Sequence, residues 1–205
     1  NKHYKTIYTK VISRPFKSVQ AELSGVFLLQ MKVFNDHRGA LIKTYQKKMW
    51  EALDLNFDMK EEYFSFSHKG VLRGMHFQRP PMDHTKVVYC LRGHVLDVLL
   101  DLRKNSPTFG MSMATELSGD KRLVLVIPPG IAHGFLTKEE STMVYKTSTV
   151  HSPAHDTGIR WDSFGFDWGI ASPIVSARDA AFPALADFAT PFTEIYHVSK
   201  LALEP

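Results

Sequence analysis

Arg73 and His76 stand three residues apart in Gly70-Val71-Leu72-Arg73-Gly74-Met75-His76-Phe77-Gln78, an otherwise apolar run. One side chain is a permanent cation and the other titrates near neutrality, a combination suited to acid–base chemistry beside an anionic group. The run reads as a strand, and strand side chains alternate faces, so a separation of three sends Arg73 and His76 to opposite sides of a sheet. They share a face only if a residue between them is bulged out of the ladder, and Gly74 can supply that bulge. Taken alone, the segment is better read as a surface arginine and a hydrogen-bonded core histidine, and it is the motifs downstream that reverse this.

The elements that must position this segment are short strands. Apolar or alternating runs fall at 26–33, 40–45, 61–67, 71–77, 85–91, 94–102, 111–116, 123–127 and 142–150. Turn signals separate most of them, among them His68-Lys69-Gly70, Arg79-Pro80-Pro81, Arg92-Gly93, Ser118-Gly119-Asp120 and Pro128-Pro129-Gly130. A short helix is expected at 47–55, where Trp50 and Leu53 share a face, and another at 179–188. The stretch 153–168 reads as a long loop pinned by Trp161, Phe164, Phe166 and Trp168. Short strands at this spacing with little helix predict an all-β antiparallel sandwich or barrel, the jelly roll being one such closure.

The chain has 205 residues and enough apolar content for one domain with a real core. Residues 1–24 read as an N-terminal arm, basic through Lys2, Lys5, Lys10, Arg14 and Lys17, and residues 25–205 as the domain. The start at Asn1 rather than Met points to trimming or an incomplete first segment. Lys and Arg number 25 against 21 Asp and Glu, a net charge of +4 that is scattered beyond the arm. That balance suits an anionic small ligand and argues against nucleic acid. No apolar run is long enough to cross a bilayer and no secretory signal opens the chain. Cys90 is the single cysteine, so an intrachain disulfide is impossible, and a cytoplasmic location is expected.

The segment GVLRGMHFQ resembles the signature strand of the dTDP-4-dehydrorhamnose 3,5-epimerase family. Four further segments occur, all in the family's order. They are Asp36-His37-Arg38-Gly39; Gly93-His94-Val95-Leu96-Asp97-Val98 leading to Asp101-Leu102-Arg103; Ile127-Pro128-Pro129-Gly130-Ile131-Ala132-His133-Gly134-Phe135; and Val144-Tyr145-Lys146-Thr147 followed by Gly158-Ile159-Arg160-Trp161. The resemblance implies a cupin fold, a double-stranded β-helix jelly-roll barrel with a few short helices. It also implies an epimerase that inverts C3, C5 or both in a nucleoside-diphosphate 4-keto-6-deoxy sugar, within deoxysugar biosynthesis.

Such a reaction needs a base for the proton beside the ketone, a group to steady charge on the carbonyl oxygen, and an acid on the other face. By the resemblance His76 is the base, Asp179 orients its ring, Lys86 steadies the enolate and Tyr145 is the opposing acid. A buried tyrosine near a cation is expected to give and regain its proton more readily than one in water. Arg73 and Arg38 are the cations expected to hold the diphosphate, because the guanidinium fork matches phosphate oxygens. In the family the Asp-x-Arg-Gly turn comes from a second subunit, which implies a homodimer with shared sites. His133 resembles the family's second pocket histidine.

Metal-binding cupins carry a His-x-His pair, a downstream Glu and a later His. Here Phe77 and Gln78 follow His76, the next imidazole is His84, and only His133 matches a ligand position. No metal and no other cofactor are therefore expected, which argues against the alternative of a metal-dependent cupin isomerase or oxygenase. A non-catalytic nucleotide-sugar-binding cupin is the other alternative, and it would need no acid and base on opposite faces.

Three departures bear on the substrate. Leu41 and Lys43 stand where thymidine-specific members commonly have Phe and Glu, and Glu61-Glu62-Tyr63-Phe64-Ser65 replaces their Gln-Asp-Asn-His-Ser. A Glu accepting from an amine and a Lys donating to a ring acceptor complement guanine or cytosine better than thymine. Lastly, His151 stands six residues after Tyr145, where many members carry a second tyrosine thought to help the sugar turn. A base that reaches one carbon without that turn inverts only one, with C3 the expected position.

Overall fold

The computed structural model describes residues 8–11, 23–31, 33–51 and 55–193. Strands β1 (Tyr8–Val11) and β2 (Phe27–Met31), the hairpin of β3 (Val33–Asp36) and β4 (Gly39–Ile42), and helix α1 (Lys47–Glu51) come first. Next are β5 (Glu61–Ser67), β6 (Leu72–Gln78), β7 (Lys86–Arg92), β8 (His94–Asp101), β9 (Ser112–Ser118) and β10 (Leu123–Ile127). After β11 (Ile131–Thr137), β12 (Ser141–Thr147) and β13 (Asp156–Gly158), helix α2 (Ala177–Ala180) and a 3-10 turn at Leu185–Asp187 close the described chain.

The strands form two antiparallel sheets, of order β1-β2-β10-β7-β12-β5 and β13-β6-β11-β8-β9, in the jelly-roll arrangement of the cupins. Alternation along each strand sorts the apolar residues into three layers. Leu28, Val88, Leu99, Met113, Leu125 and Phe135 meet between the sheets. Their neighbours Phe27, Leu29, Val87 and Val124 point away and are covered by Trp50, Leu55 and Phe57. On the far side, Leu72, Phe77, Val98 and Leu100 are covered by Ile159, Trp168 and Phe192. Each such side chain contributes about 1.5–3 kcal/mol by leaving water.

Cover on both faces of the central strands explains one strand not expected from the sequence. Every residue of β11 is buried, so it shows no alternation, and Gly134 and His133 interrupt its apolar run. Other bounds differ for local reasons. The expected strand 142–150 stops at Thr147, whose hydroxyl donates to the carbonyl of Thr149 at 2.8 Å and turns the chain. The expected helix 179–188 is only α2 and the later 3-10 turn, because Pro183 excludes helical geometry at the residue before it. The run 26–33 divides between β2 and β3, and 40–45 ends as a strand at Ile42. The helix expected at 47–55 is described over Lys47–Glu51, and residues 52–54 lie outside the described ones. The loop 153–168 carries β13, and its Trp161, Phe164 and Phe166 pack on the outer layer as expected. Within the stretch read as an arm, β1 pairs with β2 at the sheet edge, while residues 1–7 and 12–22 lie outside the described ones. Among the described residues no helix is long and apolar enough to cross a membrane.

Candidate active site

A cavity of about 380 Å³ lies between the sheets. The five-stranded sheet lines it with Arg73, His76 and Gln78 from β6 and His133 from β11; the six-stranded sheet adds Tyr63, Ser65, Lys86 and Tyr145.

The bulge expected at Gly74 is present. His76 pairs with His133 and Arg73 with Phe135, so Gly74 and Met75 on β6 oppose Gly134 alone on β11. The extra residue turns Arg73 and His76 to the same cavity. Gly74 has φ +132°, and a Cβ there would lie 2.5 Å from the Cα of Gly134, so both the angle and the close strand approach demand glycine. The bulge also frees the Gly74 amide, which donates to Asp179 Oδ2 at 3.1 Å, while Asp179 Oδ1 meets His76 Nε2 at 2.8 Å. Asp179 is presented by α2, capped by Ser176, whose hydroxyl accepts from the Asp179 amide at 3.1 Å. Burial pushes the Asp179 carboxyl up, but His76, the Gly74 amide and Ser176 outweigh it and hold it below the ordinary carboxylate range. Phe182 packs edge-on against the His76 ring, with centroids 5.7 Å apart.

On the opposite wall Tyr145 lies 3.0 Å from the Ser65 hydroxyl and stacks on Tyr63, with centroids 4.7 Å apart. Burial pushes the Tyr145 phenol well up; Ser65 and Arg73 only partly offset it. This corrects the expectation of a tyrosine eased by a nearby cation: desolvation dominates and the phenol stays protonated. Lys86 is 8% exposed and meets no hydrogen-bond or ion-pair partner among the described residues. Desolvation lowers its ammonium to about 8, against the pull of Asp156 and Asp97. Arg73 is fixed through Nε to Ser67 Oγ at 2.9 Å and through Nη2 to the Phe66 carbonyl at 3.2 Å.

Deeper in the wall His133 Nε2 meets Asp97 Oδ2 at 2.7 Å. Burial pushes Asp97 up and His133 down, toward the uncharged forms, and their mutual attraction opposes it. At the rim Glu61 accepts the His151 amide at 2.6 Å, and Asp156 takes both His151 Nε2 at 3.2 Å and Arg178 Nη2 at 2.6 Å. Gln78 fastens this rim: Nε2 donates to the Met82 carbonyl at 2.6 Å and Oε1 accepts from the Ser152 amide at 2.6 Å.

Of the residues expected at the site, His76, Tyr145, Lys86, Arg73, Glu61, His133 and His151 line the cavity, and Asp179 stands behind His76. Arg38 and Lys43 do not line it: Arg38 is paired with Asp36 on the exposed β3–β4 hairpin, and Lys43 is exposed just after it. Asp97, Asp156, Arg178 and Gln78 were not foreseen as site residues. Asp97 did carry a signal, an acid flanked on both sides by apolar residues of β8, whereas the rim residues meet only in the folded chain. Among the described residues no group of three or more His, Cys, Asp and Glu side chains could hold a metal ion.

A carboxylate-backed imidazole on one sheet and a buried phenol on the other, in one cavity with a desolvated ammonium, are the groups that acid–base chemistry needs, gathered in a jelly roll of the cupin type. The family model described as dTDP-4-dehydrorhamnose 3,5-epimerase matches residues 20–187. The chain belongs to that family of isomerases. It is 37% identical over 165 residues to the dTDP-4-dehydrorhamnose 3,5-epimerase of Shigella flexneri, covering 78% of this chain and 91% of that protein. The Bacillus anthracis enzyme of that name, solved with TDP and pyrophosphate bound, is 35% identical, with TM-score 0.78 over 82% of this chain and 99% of the other. The dTDP-6-deoxy-D-glucose-3,5-epimerase of Legionella pneumophila, solved with dTDP-4-keto-L-rhamnose, is 30% identical, with TM-score 0.79 over 87% and 97%.

Proposed function

We propose that the chain epimerises a nucleoside-diphosphate 4-keto-6-deoxy sugar in deoxysugar biosynthesis. The observation that carries this is the opposition of His76 and Tyr145 on facing sheets of one cavity. His76 takes the proton from carbon beside the ketone, and the C–H electron pair becomes the C=C bond of an enolate. Lys86 steadies the negative carbonyl oxygen, the unpaired ammonium costing no rearrangement as charge develops. Tyr145 then gives its proton to the other face and solvent restores both groups. Asp179, held ionised by its donors, supports the imidazolium while it lasts. The chemistry calls for no metal or other cofactor.

Arg73 is the diphosphate cation supplied by this chain, and Arg38 reaches the site from a second subunit of a homodimer. Support for that assembly comes from exposed Phe34 and Leu41 on the same hairpin and from exposed Tyr63, Phe64 and Phe66 on the edge strand β5. Residues 25–205 form the enzyme domain and residues 1–24 an arm, with β1 laid along the sheet edge. A nucleotide-activated substrate accords with a cytoplasmic location. Glu61 presents a carboxylate to the base region, one oxygen already taken by His151, and a guanine or cytosine amine suits the other. Inversion falls mainly at C3. His151 lies past the end of β12 and lines the cavity with its ring tied to Asp156, so it offers the sugar no second phenol.

The test is incubation with thymidine-, cytidine- and guanosine-diphosphate 4-keto-6-deoxy sugars in heavy water, followed by NMR. Deuterium at C3 of one of them is expected. No exchange in any would end the catalytic reading, and comparable deuteration at C3 and C5 would end the single-site one.

A further inference from the structure

Two buried oxygens beside the deep histidine, Asp97 Oδ1 and Thr115 Oγ1, have no hydrogen-bond partner among the described residues. Their residues sit directly opposite one another in the antiparallel register of β8 and β9. Both side chains point between the sheets, because Val95 and Leu99 on either side of Asp97, and Met113 and Leu117 on either side of Thr115, all belong to the inner layer. Cross-strand partners of this kind have Cβ atoms about 4.5–5.5 Å apart, so one χ1 step of the threonine or one interposed water joins the two oxygens. Asp97 is 1% exposed and Thr115 4%, which leaves bulk water no part in satisfying either. A donor and an acceptor left unmet side by side in the interior are each costly, and one bond removes both costs. With Asp97 ionised the hydroxyl is the donor, since a carboxylate then only accepts.

We infer that Thr115 is a positioning residue: its hydroxyl donates to Asp97 Oδ1 and completes a buried chain from Thr115 through Asp97 to His133 at the cavity wall. Asp97 Oδ2 already holds His133 Nε2. A donor on the second oxygen stabilises the carboxylate, and the carboxylate in turn stabilises a charged His133 ring. The hydroxyl thus works against burial, which drives both groups toward neutrality. Other titratable groups around the pair are Lys86 and Cys90 from β7, His76 from β6 and Tyr145 from β12. None of them is bonded to Oδ1 in the structure. The bond itself stands independently of the proposed reaction; its bearing on turnover rests on that reading.

The experiment follows the His133 ring by 15N NMR against pH in the wild type, Thr115→Val and Thr115→Ser, alongside thermal melts. Val matches the shape of Thr without the hydroxyl, so the His133 titration is expected to move to lower pH by about one unit. The melting temperature should fall by roughly 3 °C or more, and Ser should restore both. If the Val variant does not fold, Thr115→Ala serves for the same comparison. An unmoved His133 titration overturns the inference whatever the melts do. Because no substrate is involved, this result is separate from the deuterium-exchange test of the reaction.

Discussion

The cavity wall holds two His–Asp pairs on neighbouring strands, and the two histidines are register partners. At the mouth the side chains of His76 and Asp179 are 29% and 6% exposed; at depth those of His133 and Asp97 are 3% and 0% exposed. The chemical groups are the same, so the difference lies in what surrounds the carboxylate. Asp179 has a backbone amide, a hydroxyl and an imidazole around it and stays ionised; Asp97 has an imidazole and, by the inference above, one threonine hydroxyl, and burial pushes it up. A half-exposed ring backed by a charged carboxylate is suited to take up a proton and return it to solvent. A sealed ring is suited to hold a ligand in place.

The comparison breaks most sharply at His76. His76→Asn fills the space but cannot accept the proton, and solvent-deuterium exchange into the substrate should fall about 10²- to 10⁴-fold with the circular dichroism spectrum unchanged. Asp179→Asn should lower kcat about 10²-fold, since the amide neither supports an imidazolium nor fixes the ring's tautomer. At Lys86 the sign follows from desolvation. With its ammonium at about 8 rather than 10.5, it loses its proton early, and kcat should drop about tenfold per pH unit above pH 8. Lys86→Arg should move that alkaline limb above pH 10, which a pH profile of kcat reads directly. The smallest effect is expected at depth: Asp97→Asn should cost kcat tenfold or less, because in the proposed reaction the inner pair orients and does not exchange protons. An Asp97→Asn loss equal to that of Asp179→Asn would erase the distinction.

Sequence alone carried the mouth pair further than the deep one. Glycine between Arg73 and His76 in a strand leaves a bulge as the only way for both to face one site, and the register shift at Gly134 is that bulge. Asp179, 103 residues from His76, has no local signature, and only resemblance linked the two. Asp97 has no role legible in the sequence, because an acid among apolar strand residues does not reveal its partner. Strand β11, which carries His133, is buried on both faces, and so has none of the alternation by which strands such as β9 announce themselves. The hairpin of Arg38 raises a different difficulty. In the proposed homodimer its neighbours belong to another copy of the chain, and no pattern along one copy reports them.

The three apolar layers have a consequence for how such an enzyme diversifies. The side chains proposed for catalysis share strands with core residues, so change there disturbs packing: His76 adjoins Met75 and Phe77, and Tyr145 adjoins Val144. Glu61, His151, Asp156 and Arg178 come from a strand end, a loop, a three-residue strand and a short helix, and none belongs to a layer. Drift at these rim positions opens no void in the interior, and Gln78 keeps their loops moored to the catalytic strand. On this scaffold, rim substitution is therefore the route by which the ligand contacts can change while the packing around His76 and Tyr145 stays intact.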